Sequence, residues 1–262
     1  MIEQYLEALT HGDSAARSEA AKVLGDLRDP AAVDALLRCL QDDDAKLQYA
    51  AFSALVKIGS TAAAPAMVAA LLNNPQSRLW GVLKLNVGLR LRAGLLNIVQ
   101  RGDTETADKL TNALEQEHFD PYQTVYLLHL LGRTGDRRAV ESLITTLRED
   151  TELMQSAAAD ALGWMGDVRA VPALIIALET LPTESAAREV AAEALGRIGE
   201  PQAITALVKG LTDGNEWVRR ASAVALGEIG DQMVVDSLTN ALDDESAMVQ
   251  EAAAEAIKQL SN

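Results

Sequence analysis

One phrase keeps returning along the chain, and it limits what the chain can fold into. Leu24-Gly25-Asp26-Leu27-Arg28-Asp29, Leu131-Gly132-Arg133-Thr134-Gly135-Asp136, Leu162-Gly163-Trp164-Met165-Gly166-Asp167, Leu195-Gly196-Arg197-Ile198-Gly199-Glu200 and Leu226-Gly227-Glu228-Ile229-Gly230-Asp231 are versions of it. Fainter copies stand at Leu55-Val56-Lys57-Ile58-Gly59-Ser60 and Ile257-Lys258-Gln259-Leu260. From one leading Leu or Ile to the next the steps are 31, 76, 31, 33, 31 and 31 residues. A recurring period of this length means that one supersecondary unit is copied and stacked.

Each copy has two halves. In Met233 to Leu242 the apolar residues recur at spacings of three and four, the signature of an amphipathic helix. Val218 to Leu226 is a second helix, with small residues where a neighbouring backbone must come close. Gly230 falls where a C-terminal cap needs positive φ, and Asp231 is placed to cap the next helix. Neither helix buries its apolar stripe alone, so stacked pairs with a continuous core are expected. Composition agrees: only nine of 262 residues are aromatic, and an Ala- and Leu-rich chain favours helix over sheet.

Between Leu55 and Leu131 the step is about fourteen residues too long for two ordinary units. Regular repeats are therefore expected over 1–75 and 120–262, with an irregular insert over about 76–119, all in one solenoid spanning 1–262. Trp80 to Gln100 carries three glycines, and from Leu83 to Leu91 its apolar residues alternate with period two. That segment reads equally as a kinked helix or as two helices with a corner; an isolated strand is disfavoured.

The motif Val218-Arg219 followed by Ala225-Leu226-Gly227-Glu228-Ile229-Gly230-Asp231 resembles the HEAT-repeat family, in the short-repeat form found in phycobilisome lyases and their relatives. The resemblance runs, in degraded form, along nearly the whole chain. It implies an all-α, right-handed α-α superhelical solenoid of about eight helix pairs, irregular in the third and fourth. Residues 1–10 would open the first pair and 247–260 close the last with a rather polar helix, which suits a monomer or a heteromer. The family geometry also places the second helix of each pair on the concave surface. At the outward positions so implied stand Glu216, Trp217, Arg220, Ala221, Val224 and Glu228, with Met248, Glu251 and Glu255 beyond them. Equivalent positions carry Tyr49, Ser53 and Lys57, then Tyr122, Tyr126, His129 and Arg133, then Asp160, Trp164, Glu189, Glu193 and Arg197.

Five of the nine aromatics fall in that set, and Tyr122, Tyr126, His129, Arg133, Trp164, Arg197, Trp217 and Arg220 form an aromatic and basic stripe. Aromatics and Arg carry most of the energy at protein interfaces, so this stripe, with Tyr49, is the expected partner-binding surface. A second candidate surface is basic. The chain has a net charge of −15, yet Ala45 to Gly102 contains no Asp or Glu and seven Lys or Arg, with Lys84, Arg90 and Arg92 at its centre.

Catalytic constellations are missing. His11, His118 and His129 are scattered, no His-Glu pair of the kind used by HEAT-repeat di-iron hydroxylases occurs, and there is no P-loop, dinucleotide fingerprint or Gly-x-Ser-x-Gly elbow. Lone Cys39 excludes an internal disulfide and fits a buried thiol in a reducing, cytoplasmic setting. The acidic balance argues against nucleic acid, and no eighteen-residue uncharged apolar run or secretory signal is read. Arg17, Arg188 and Arg219 recur at one repeat position and Asp29, Asp136, Asp167 and Asp231 at another, which we read as an inter-repeat hydrogen-bond ladder. The expected function is a non-enzymatic scaffold or adaptor with a protein in its groove and no cofactor or metal. The resemblance implies an alternative, a bilin lyase subunit or phycobiliprotein-handling factor, in which Tyr126, His129, Arg133, Trp164 and Arg197 cradle a tetrapyrrole. Lyase subunits of similar length tend to carry a tandem Trp before the first Leu-Gly, where this chain has Lys22-Val23.

Overall fold

The computed structural model describes residues 2–73, 79–81, 89–100, 102–116 and 119–261. Every regular element among them is helical. In chain order these are α1 (Ile2–His11), α2 (Ser14–Leu27), α3 (Val33–Cys39), α4 (Ala45–Ile58), α5 (Ala64–Leu72), α6 (Leu89–Ile98), α7 (Thr104–Gln116) and α8 (Pro121–Thr134). They continue with α9 (Val140–Glu149), α10 (Glu152–Met165), α11 (Val171–Thr180), α12 (Ala186–Ile198), α13 (Ile204–Gly210), α14 (Glu216–Ile229), α15 (Val235–Asn240) and α16 (Ala247–Leu260). Among the described residues α1 with α2, α3 with α4, α9 with α10, α11 with α12, α13 with α14 and α15 with α16 pack as helix pairs, the units of an all-α solenoid.

The ends of the helices follow from single residues. Asp29, Asp136, Asp167 and Asp231 each accept the backbone N–H two residues on, opening the 3₁₀ turn that leads into a first helix. Second helices stop at glycines in the left-handed region, Gly59, Gly166, Gly199 and Gly230, where a Cβ is strained. In the first repeat Arg28 holds that place at φ +52°.

The chain divides into two compact units, Met1–Gln123 and Thr124–Asn262. In the second, successive second helices α10, α12, α14 and α16 pack on one another far more extensively than the first helices do. Leu-Gly explains this. A Cβ on Gly132, Gly163, Gly196 or Gly227 would come within 2.6, 2.8, 2.7 and 3.0 Å of the Cα of Ala161, Ala194, Ala225 and Ala256 respectively. Only glycine against alanine lets the second helices approach so closely. The first unit repeats the device at Gly25, where a Cβ would come within 2.6 Å of the Cα of Ala54.

Of the segment expected to be irregular, the described part is helical: Trp80 in a short helical stretch, then α6 and α7. Trp80 is buried, its indole N–H donating to Leu71 O at 2.8 Å. Most of the Leu83–Leu91 alternation lies outside the described residues, as do Lys84 and His118. Cys39 is buried in α3, and burial pushes its thiol pKa up.

The arginines do form a ladder. Arg219 is 6% exposed and donates to both carboxylate oxygens of Asp244, at 2.8 and 3.0 Å, and to Asp213 O at 2.9 Å. Arg188 pairs with the Asp213 carboxylate and reaches Leu178 O at 2.9 Å, while Arg17 repeats the pattern with Asp42 and Leu9 O. The expected aspartate half of the ladder is different. Asp29, Asp136 and Asp231 serve as caps, because the first-helix turn they open is the nearest source of free N–H groups. Asp167 alone adds a cross-repeat contact, 3.3 Å from Arg137 Nε.

Candidate binding surface

Along α8, α10, α12 and α14 the outward side chains form rows, because equivalent helix positions recur at steps of 31 or 33 residues. One row, near the C-terminal ends of the helices, runs Arg133, Trp164, Arg197 and Glu228. Beside it runs the row His129, Asp160, Glu193 and Val224.

Trp164 is the centre of this surface. It is 45% exposed, and guanidinium groups from the repeats on either side sit over its ring, Arg133 at 4.4 Å and Arg197 at 5.2 Å from the centroid. Arg197 is held in place by Asp160 at 2.7 Å and Glu193 at 3.1 Å. His129 Nε2 lies 3.6 Å from the other oxygen of Asp160. Arg133 makes no ion pair among the described residues, which leaves a cation free beside the exposed indole. Each cation–π contact at such a site is worth about 0.5–1 kcal/mol and, more usefully, fixes the ring.

Carboxylates next to this cluster are kept less acidic than usual. Burial raises the pKa of Glu189, with Glu193 adding repulsion and Arg220 opposing it. Glu228 is raised by burial too; Arg197 opposes and Glu193 adds to the shift.

Several expected members of the stripe are elsewhere. Tyr126 is 4% exposed and Ala221 1%, and both occupy one repeat position that faces inward, so neither is available to a partner. The physical reason is register: on an Ala-rich helix adjacent stripes look alike, and stacking selects which is covered. Trp217 is 45% exposed but stands on the first turn of α14, eleven positions before Glu228, or ~16 Å away along the helix. There it neighbours Glu216 and Glu245 and not Trp164. Arg220 is half-buried and faces Glu189. Tyr122, 72% exposed, belongs to the first unit. Tyr49 is half-buried on α4, Arg90 is exposed and Arg92 half-buried on α6. The residues that sequence reasoning missed are Asp42, Asp213 and Asp244, the ladder's acceptors. Their signal was present, an Asp 25 positions after each ladder arginine.

Among the described residues no group of three His, Cys, Asp or Glu is placed to hold a metal ion, and no helix is long and apolar enough to cross a membrane. Stacked helix pairs, a glycine-mediated second-helix layer and a cross-repeat arginine ladder define a helical-repeat solenoid. The chain belongs to the HEAT-repeat family, whose pattern it matches over residues 2–83, 107–185 and 172–258. It is similar to the crystal structure of an engineered protein, at 24% identity and TM-score 0.51, over 99% of this chain and 81% of that one. Human deoxyhypusine hydroxylase, solved with glycerol, shows 21% identity and TM-score 0.44 over 99% and 96%. The CpcE–CpcF complex of phycocyanin lyase from a Nostoc species gives 21% and 0.42 over 99% and 94%. At these identities the likenesses concern the fold. No curated protein matches the chain significantly.

Proposed function

We propose that this protein is a non-catalytic scaffold that grips a protein partner on the second-helix face of its second unit, with Trp164 as the anchor. The observation that carries the reading is the Arg133–Trp164–Arg197 cluster. A large indole left 45% exposed, with two guanidinium groups packed over its ring, loses less side-chain freedom on binding than an unsupported one. Trp and Arg are the residues enriched at interface hot spots, where truncation costs about 2 kcal/mol or more. Arg133 supplies a free charge for a partner carboxylate, and Arg197 is already oriented by Asp160 and Glu193.

A tetrapyrrole in the same place is the weaker reading. Of the five side chains assigned to it, Tyr126 is buried, Arg197 is engaged by two carboxylates and His129 lies 3.6 Å from Asp160, which leaves Arg133 and Trp164 for a pigment. The test is a tagged pull-down from the source organism with the wild type and Trp164→Ala, the eluate being scanned for visible absorbance. A colourless partner retained by the wild type and lost by the variant supports the scaffold. Identical partners in both samples refute the Trp164 anchor, and a visible band that depends on Trp164 favours the pigment.

A further inference from the structure

The first unit has a groove of its own, unrelated to Trp164. It lies between α2 and α4, encloses about 530 Å³, and its floor is mostly apolar, built from Tyr49, Ala45 and Ala50. Lys46, Tyr49, Ser53 and Lys57 follow one another at spacings of three and four, so they form one stripe along the whole of α4. From Lys46 to Lys57 that stripe is ~16 Å long at the rise of an α-helix. Lys22 and Ser18 on α2 form the opposite wall.

The charges around this groove are unequal. Its lining holds three lysines and no carboxylate. Lys22 pairs with Glu19 at 3.0 Å and Lys57 with Asp26 at 2.7 Å, both carboxylates lying outside the lining and more than half exposed. Lys46 has no ion pair among the described residues; Asp44, which lies two residues before it, is occupied as the cap of α4, accepting from Lys46 N and Ser14. Ser18 Oγ is buried without a hydrogen-bond partner, leaving one donor in the wall unused. The groove also opens the only long stretch of this acidic chain, Ala45 to Gly102, that has no Asp or Glu.

We propose that this groove is a second binding site, for an acidic peptide segment that lays one apolar side chain against Tyr49 and its carboxylates toward Lys22, Lys46 and Lys57. Length decides for a peptide over a compact anion: a stripe of ~16 Å matches about three turns of helix. Sign decides the flanking residues, since a basic segment would meet the lysines across a low-dielectric floor and be repelled. An acidic segment gains by displacing water from the exposed face of Tyr49 and by exchanging the surface pairs to Glu19 and Asp26, each worth at most about 1 kcal/mol, for less exposed ones.

The experiment is a fluorescence-anisotropy titration of the full chain with a fluorescein-labelled peptide of about twelve residues, a single Phe flanked on both sides by Glu. A second peptide has Lys in place of every Glu. The acidic peptide should bind and the basic one should not. Lys46→Glu/Lys57→Glu should raise the Kd by about tenfold or more, and Lys46→Gln/Lys57→Gln by less, with binding weakening as salt rises. Lys46 is exposed and Lys57 gives up one surface pair with Asp26, so thermal unfolding should move by no more than a few degrees. Trp164→Ala should leave the titration unchanged, which separates this site from the surface on the second unit. Equal binding of the two peptides, no effect of the double substitution, a loss in Trp164→Ala as large as in the lysine variant, or no binding of either peptide would each overturn the proposal.

Discussion

Replacing Arg219 by methionine keeps most of the side chain's volume and removes its charge, a direct probe of the ladder. Four hydrogen bonds go: two to Asp244 at 2.8 and 3.0 Å, one to Asp213 O at 2.9 Å and one to Glu245 at 3.2 Å. The Arg219 and Asp244 side chains are only 8% and 10% exposed, so the carboxylate is left in a place where water replaces the lost partner poorly. Breaking a buried pair from one side costs about 3–5 kcal/mol. Asp244 keeps a bond from Ser246 N at 2.8 Å, which spreads part of its charge, so the low end, about 3 kcal/mol, is expected. For a chain of this size that is a fall in Tm of roughly 6–12 °C. Solenoids can melt repeat by repeat, so hydrogen exchange should accompany the melt and show the loss of protection concentrated in α14 and α16. Arg219→Met/Asp244→Asn, which removes both charges, should recover most of the loss. A single-variant cost below about 1 kcal/mol, typical of a surface pair, would refute the reasoning, as would a double variant no better than the single.

Other outcomes follow from the same geometry. Arg188→Met and Arg219→Met should be non-additive in urea denaturation, because Asp213 serves one arginine through its carboxylate and the other through its carbonyl. Asp244→Asn tests the acid limb: Arg219 holds the Asp244 carboxyl below its ordinary pKa. That stabilisation is present in full above about pH 4, where the unfolded carboxyl is ionised, and is lost as pH falls through the folded-state value. The gap in unfolding free energy between wild type and variant should therefore be constant from neutral pH down to about pH 4 and narrow below that. Gly163→Ala should lower Tm by several degrees, since its methyl would meet Ala194 backbone at 2.8 Å, whereas Arg28→Gly should raise stability by about 1 kcal/mol by relieving a left-handed residue. Trp164→Ala, at a 45% exposed site, should change Tm little while abolishing partner capture; a large Tm loss would make Trp164 a packing residue.

Much of the architecture was legible in one dimension. The 31-residue step, the helix-pair periodicity, the glycine at the end of each second helix and the aspartate before each first one are local signals. They depend on backbone conformations within a few residues, and no distant partner is needed to read them. Repeat register put Arg133, Trp164 and Arg197 at one repeat position, and the resemblance to the HEAT-repeat family implied that this position points outward.

Only tertiary structure decided the rest. Tyr126 and Trp164 carry equally plausible outward signals on Ala-rich helices, where a stripe of alanines does not announce which side is covered. The neighbouring helix buried the first and left the second half exposed. Of the four aspartates expected to link repeats, only Asp167 does so, all four capping N–H groups two residues away, and the acceptors of the ladder arginines, Asp42, Asp213 and Asp244, came from loops 25 residues downstream. The groove between α2 and α4 exists because two helices lie side by side with lysines on both walls, and sequence order does not state that adjacency. Periodicity fixes what each helix offers; packing fixes which of those offers stay open to solvent.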